Sequence, residues 1–314
     1  MDNCGNTTAT TLYVSDLDGT LLNSSTRLSS TTIELLNQAI GHGAAFTVAT
    51  ARTPATVTNL LSQVHSRLPM IVLAGAAMWD NARELYTDVQ VIDPETVCTI
   101  ADIFERHGMH PIVYHQHGSM LHAHHSGELS APEQKFVDER MGLRLKRFIL
   151  DDDEQAYRDP ADGDALLMFS MHDYDRLGPV YREVKESTHC SVMYYRDIFD
   201  RNAGMVEIYK AGCTKASAIR RLAERIGASR TVVFGDNGND LPMMRAATHS
   251  VAVGNAIPEV KEAAHEVIGI NDDDSVARWI VDDLKRQGLW KEEASHPSKK
   301  KTADHEESEH TQDI

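Results

Sequence analysis

Apolar residues gather in short runs along this chain, and polar residues interrupt each run at a defined place. Residues 12–15 are an apolar run that stops at two aspartates, Asp16 and Asp18. Ser29, Ser30, Thr31 and Thr32 are helix-start residues. Ile33, Leu36, Ala39 and Ile40 follow at helical spacing, and Gly41 and Gly43 stop them. Residues 44–49 read as a second strand, ending at Thr50-Ala51-Arg52. Pro54 opens another helix, with Val57, Leu60, Leu61 and Val64 on one face. Residues 70–74 are a third apolar run. Strand, helix, strand, helix, strand is the order of a parallel α/β sheet.

The same order returns near the end. Lys215 begins an amphipathic helix with Ile219, Leu222, Ala223 and Ile226 on one face and Gly227 as its stop. Residues 231–234 are a buried strand leading into "GDNGND". Pro242 opens a short helix, 250–253 form another strand, and 276–284 a last helix. Between about 94 and 203 the pattern changes to helices mixed with alternating strands. The expected organisation is a discontinuous core, 11–93 and 204–290, carrying an inserted α+β domain at 94–203. Residues 1–10 are expected to be flexible. Residues 291–314 are charged and nearly free of large apolar groups, so disorder is expected there.

Composition narrows the function. With 314 residues and 41% hydrophobic content, the chain can bury a sizeable core. A formal charge of -16 disfavours sequence-independent nucleic-acid binding, which needs a cationic surface. No apolar run approaches the roughly 20 residues of a membrane span. Cys4, Cys98, Cys190 and Cys213 are scattered, and no signal-peptide pattern opens the chain. A soluble cytoplasmic protein, monomer or homodimer, is the expectation.

Parallel α/β sheets bind ligands at the carboxyl ends of their strands. Three polar motifs fall at three such ends: Asp16 with Asp18, Thr50, and Asp236 with Asn239 and Asp240. Lys215 begins a helix beside Thr214. Taken singly each is ordinary, since aspartates cap turns and most lysines are solvated. Together they describe a crevice of carboxylates that repel one another and need a hard cation such as Mg²⁺. A lysine and a hydroxyl beside them suit an anionic ligand. Phosphoryl transfer asks for this set: a carboxylate to attack phosphorus and a second to manage protons. The single residue between Asp16 and Asp18 would place both carboxylates on one side of a strand.

In this order and spacing, "DLDGT", "VATAR", "CTK" and "GDNGND" resemble the four motifs of the haloacid dehalogenase superfamily. The insertion resembles the α/β cap of its Cof-type phosphatases, subclass IIB. The resemblance covers about residues 11–288. It implies a Rossmann-like core with a parallel sheet plus a cap, and a Mg²⁺-dependent phosphatase acting on small phosphorylated metabolites, especially sugar phosphates. On it, Asp16 matches the nucleophile that becomes aspartyl-phosphate. Asp18 matches the general acid/base, and gives its backbone carbonyl to Mg²⁺. Thr50 and Lys215 match the groups that hold the transferring phosphoryl group, with Gly19 and Ala51 in the surrounding loops. Asp236 matches the Mg²⁺ ligand. Asn239 and Asp240 match its supporting pair, Asn239 toward phosphate and Asp240 in the metal set. Two departures stand out: "TAR" where the family has "TGR", and Ala74-Gly75-Ala76 where it often has "NGA".

Competing readings are a phosphomutase, separated by its product, and an idle binding protein on the same scaffold. His107, His110, His115, His117, His122, His124 and His125 invite a metal site, but no cysteine or carboxylate completes a set at typical spacing. A polar, partly exposed cap surface is the simpler expectation, with some histidines facing substrate. Trp79 reads as packing, Lys210 as surface, and the acidic stretch 151–164 as a solvated connection.

Overall fold

The computed structural model describes residues 10–151, 158, 163–197, 200 and 202–290. The first elements are β1 (Thr11–Ser15), α1 (Ser30–Gly41), β2 (Ala45–Val48) and α2 (Pro54–Val57). Next come β3 (Met70–Val72), β4 (Ala77–Asp80), β5 (Leu85–Val89), α3 (Pro94–Arg106), β6 (Ile112–His117) and β7 (Met120–Ser126). They are followed by α4 (Ala131–Asp138), β8 (Lys146–Asp151), β9 (Asp164–Asp173), α5 (Tyr174–Ser187), β10 (Ser191–Arg196) and β11 (Ala203–Tyr209). The last elements are α6 (Lys215–Ile226), β12 (Arg230–Gly235), α7 (Leu241–Ala246), β13 (His249–Ala252), α8 (Pro258–Ala263), β14 (Glu266–Val267) and α9 (Ser275–Arg286).

One sheet is parallel, in the order β14-β13-β12-β1-β2. β1 lies inside it and is buried along its whole length. Strands buried on both faces read as continuous apolar runs, which is why this half was legible. The helices are anchored by local chemistry. Ser29 Oγ accepts the Thr32 amide at the start of α1, and Thr214 and Ser217 form a reciprocal cap at the start of α6.

The second sheet runs β10-β11-β9-β6-β7-β8 and is antiparallel except for β7 with β8. α3 and α5 cover one of its faces, packing Ile100, Phe104, Leu177 and Val180 against Val113, Met168, Val206 and Ile208. α4 covers part of the other, where Phe136 meets Phe148 and Phe169. This is the α/β architecture, a parallel sheet with an inserted domain, that the pattern predicts, and the Rossmann-like core with a separate cap that the resemblance implies.

Three details differ from the sequence reading. The expected return to the core at 204 falls inside β11, which pairs with β9 and β10 and carries the second sheet on to Tyr209. The helix after Pro54 is a single turn to Val57, continued by turns. Threonines at 53, 56 and 58 offer the backbone competing bonds, and Thr56 Oγ1 takes one, donating to the Thr53 carbonyl. The third apolar run joins β4 and β5 in an antiparallel sheet, touching the parallel one only through a bridge from Ala49 to Ile71. Most of the acidic stretch, the N-terminal nine residues and the tail from 291 lie outside the described residues.

No helix among the described residues is long and apolar enough to cross a membrane. Cys98, Cys190 and Cys213 are free thiols.

Candidate active site

Asp16 is the first residue past β1, and its amide donates to the Phe234 carbonyl at 2.9 Å. That bond sets it beside the end of β12, where Asp236 follows Gly235. On the other side the Ala49 amide donates to the Ser15 carbonyl, which brings Thr50 alongside. Three strand ends therefore present Asp16, Thr50 and Asp236 at one edge of the sheet. Asp16 and Thr50 are buried, at 6% and 1% exposure.

Lys215 closes the group from α6. Its Nζ donates to Asp16 Oδ1 at 2.6 Å and to Asp240 Oδ1 at 2.7 Å. Burial works against this ammonium, but the charges of Asp16 and Asp240 outweigh it and raise its pKa, so it stays a cation. Asp16 is also pushed well above the usual carboxylate range. Burial is the main cause, the Lys215 charge opposes it, and Asp240 adds to it. Asp236 is raised by burial in the same way, with the Thr20 hydroxyl bond pulling it back.

Asp240 is fully buried. One oxygen binds Lys215 and the other accepts the amides of Asp236 at 3.0 Å and Asn237 at 3.1 Å. It fastens the loop and steadies the lysine, and the oxygen bound to Lys215 keeps a lone pair. Oxygens of Asp16, Asp236 and Asp240 all lie within 4.8 Å of one another. Three carboxylates balanced by one lysine, with like charge and burial raising two of them, form a donor set fitted to a hard divalent cation. No such group of ligand atoms forms among the described histidines.

The strand-parity expectation for Asp18 fails. β1 ends at Ser15, and Asp18 sits in a tight turn with Gly19 at φ +78°. Its carboxylate is half exposed, outside the three-carboxylate cluster, and takes a bidentate bond from Arg52, Nε at 2.8 Å and Nη2 at 2.6 Å. A two-residue period holds only while the backbone stays extended. Gly19 is required in the turn, because a Cβ there would stand 2.5 Å from Asp236 Oδ2. Asn239 is exposed on the "GDNGND" turn, outside the cluster. Ala51 keeps a negative φ, so the freedom of glycine is unused there. Ala74 is left-handed at φ +51°, and Gly75 beside it packs on the Thr214 carbonyl, leaving no room for a Cβ.

Sequence reasoning missed three contributors. Thr20 Oγ1 holds Asp236 Oδ1 at 2.8 Å, Arg52 holds Asp18, and Asn255 Nδ2 holds the Gly19 carbonyl at 2.7 Å. Thr20 and Arg52 lie within the quoted motifs and were legible there; Asn255 has no local signal. The histidines also differ from expectation. His115, His124 and His125 are buried at 2%. His115 pairs across the strands with His122, and Val113 with His124, so the row from 115 to 124 shares the α3 and α5 side of the sheet, opposite Tyr114. Trp79 is buried packing against Tyr86, and Lys210 is exposed, both as expected.

The family description "haloacid dehalogenase-like hydrolase" matches residues 13–280. The chain is 28% identical over 290 residues to the 5-amino-6-(5-phospho-D-ribitylamino)uracil phosphatase YwtE of Bacillus subtilis, across 84% of this chain and 95% of that one. It is 25% identical over 288 residues to the pyridoxal phosphate phosphatase YbhA of Escherichia coli, across 86% and 97%. Among solved structures, a haloacid dehalogenase-like hydrolase from Bacteroides thetaiotaomicron superposes with a TM-score of 0.68 at 22% identity, covering 86% of this chain and 98% of its own. The subclass IIB sugar phosphatase BT4131 gives a TM-score of 0.67 at 22%, covering 90% and 100%.

Proposed function

The chain belongs to the haloacid dehalogenase-like hydrolases and is a phosphoric monoester hydrolase of phosphorylated small molecules; on that footing we propose how its residues divide the work. The observation that carries the proposal is Lys215 bridging Asp16 and Asp240, with Asp236 completing the carboxylate cluster. An Asp16 oxygen attacks phosphorus, the bond to the leaving alcohol breaks, and an aspartyl-phosphate forms. Water then attacks that phosphorus, releasing phosphate and regenerating Asp16. Asp18 protonates the leaving oxygen and takes a proton from the water, which requires it to leave Arg52. Lys215 and the Thr50 hydroxyl hold the transferring group, assisted by amides of the Gly19 and Ala51 loops and by Asn239. Asp16, Asp236 and Asp240, with the Asp18 backbone carbonyl, would hold Mg²⁺, which supplies neutralising charge for nucleophile and phosphate.

The substrates are proposed to be phosphorylated sugars or polyols. The family resemblance and the phosphoribityl compound named for the Bacillus relative support that reading. The free thiols are in keeping with a cytoplasmic site of action.

The test is turnover of p-nitrophenyl phosphate and a panel of sugar phosphates, with and without Mg²⁺. Asp16→Asn should lower kcat by roughly a thousandfold or more, with the fold intact by circular dichroism. Chelation should have a comparable effect, reversed by added Mg²⁺. Full activity of Asp16→Asn on a simple ester would sink the assignment.

A further inference from the structure

β8 (Lys146–Asp151) closes one end of the second sheet, with β7 on one side and no described strand on the other. Backbone groups alternate in direction along a strand, so every second residue of β8 turns its amide and carbonyl away from β7. Such an edge is a template for a further strand, and proteins blunt it with prolines, bulges or very short strands. β8 has none of these. It reads Lys-Arg-Phe-Ile-Leu-Asp and pairs with β7 over its 6 residues without a register shift. Charge on an edge also deters pairing. Here the two exposed charges, Arg147 and Asp151, are of opposite sign.

Their placement is self-complementary. Arg147, Ile149 and Asp151 pair with His122, His124 and Ser126 and share one face; Phe148 and Leu150 lie on the other. Leu150 is 44% exposed, and neither Arg147 nor Asp151 has an ion-pair partner among the described residues. A two-fold axis normal to the sheet lays a second β8 antiparallel against the first and keeps each face continuous. Centred on Ile149, that axis sets Arg147 opposite Asp151 of the partner subunit, and Asp151 opposite the partner's Arg147. Ile149 then meets its own copy, and Phe148 meets the partner's Leu150. Opposite charges and apolar pairs directly across antiparallel strands contribute about 0.2–1 kcal/mol each. Centring on Phe148 instead would set Arg147 against Ile149 and Lys146 against Leu150, so the side chains themselves select the first register.

We propose that β8 is the docking edge for a second copy of this chain, joining two caps through one continuous sheet about a two-fold axis. The carboxylate cluster stands on the other, parallel sheet, so each copy keeps its own site. The inference stands apart from the reaction and does not depend on it.

Sedimentation velocity on the full chain, over a series from tens to hundreds of micromolar, reads the assembly. The wild type should show a monomer–dimer equilibrium. Arg147→Asp leaves the edge with two acids, and Asp151→Arg leaves it with two bases. Each alone should weaken self-association by at least ~10-fold, because like charges then face each other. Mixed in equal amounts, the two variants should recover dimer to within a few fold of the wild type, since every base again faces an acid. The double exchange Arg147→Asp/Asp151→Arg should dimerise by itself for the same reason. Both positions are exposed, and circular dichroism checks each fold. If one single variant folds poorly, the other and the double exchange still decide. A wild type that is monomeric across the series, a dimer indifferent to charge reversal, or reversal that the double exchange does not repair overturns the proposal.

Discussion

Lys146 has its amine buried in the cap, with no carboxylate in ion-pair range among the described residues. Its Nζ donates to Tyr114 Oη at 2.8 Å and lies over the Tyr114 ring at 4.6 Å, with Phe136 and Phe148 at 5.6 and 5.7 Å. The aromatic faces recover part of what desolvation removes. Burial first, and the Arg140 charge second, still draw its pKa down from 10.5 to about 7. Between those values the unfolded chain holds a proton that the folded protein has released. Stability therefore rises with pH from about 7 to about 10.5, at up to about 1.4 kcal/mol per unit. Below pH 7 both states are protonated and the cost of the buried charge is constant. Lys146→Met should flatten that rise. Comparing Tm at pH 7 and pH 10 in both proteins checks it, and an equal slope in the variant would disprove the assignment.

At the scale of elements, the turn between β3 and β4 stores strain next to the site. Leu73 and Ala74 both sit at φ +51°, where a side chain carries a penalty of about 1 kcal/mol. The turn holds its shape because the Ala74 amide donates to the Thr50 carbonyl and Arg221 Nη2 grips the Gly75 carbonyl at 3.2 Å. It thus links Thr50 to the start of α6. Ala74→Gly should raise stability by about 0.5–1 kcal/mol in urea unfolding, partly offset by greater freedom in the unfolded chain. Gly75 has no such latitude, because any Cβ would meet the Thr214 carbonyl. The "NGA" of the family fits the same geometry, since asparagine tolerates the left-handed region better than alanine.

Across the whole molecule, the first strand is tied to the last helix through one carboxylate. Asp283 of α9 accepts from Tyr13 Oη at 2.8 Å and from Arg230 Nη1 at 2.5 Å, and Gln287 Nε2 joins both. Burial alone would raise its pKa; the Arg230 and Tyr13 bonds prevail and hold it below the usual range. Its folded pKa is depressed, so its contribution is complete above the unfolded value and fades as pH falls through the folded one. Asp283→Asn should cost about 2–3 kcal/mol at pH 7, by leaving Arg230 poorly matched. The loss should shrink at the acid end of a pH series of urea melts; a loss independent of pH would rule out the ion-pair explanation.

The sequence by itself determined the elements whose signals are local. Buried strands such as β1 and β12 show as apolar runs, α6 shows its cap, its stripe and its glycine stop, and four motifs at element ends give Asp16, Thr50, Lys215 and Asp236. Tertiary structure decided what depends on where the chain turns. It sent the Asp18 carboxylate to Arg52, because β1 stops one residue before Asp16 and alternation lapses there. It gave Asp240 to Lys215 and the loop amides, and brought in Asn255 from a distant loop. It also turned the histidine row toward α3 and α5. Side-chain direction on a sheet follows pairing register and covering helices, and neither is written in the spacing of residues along one strand.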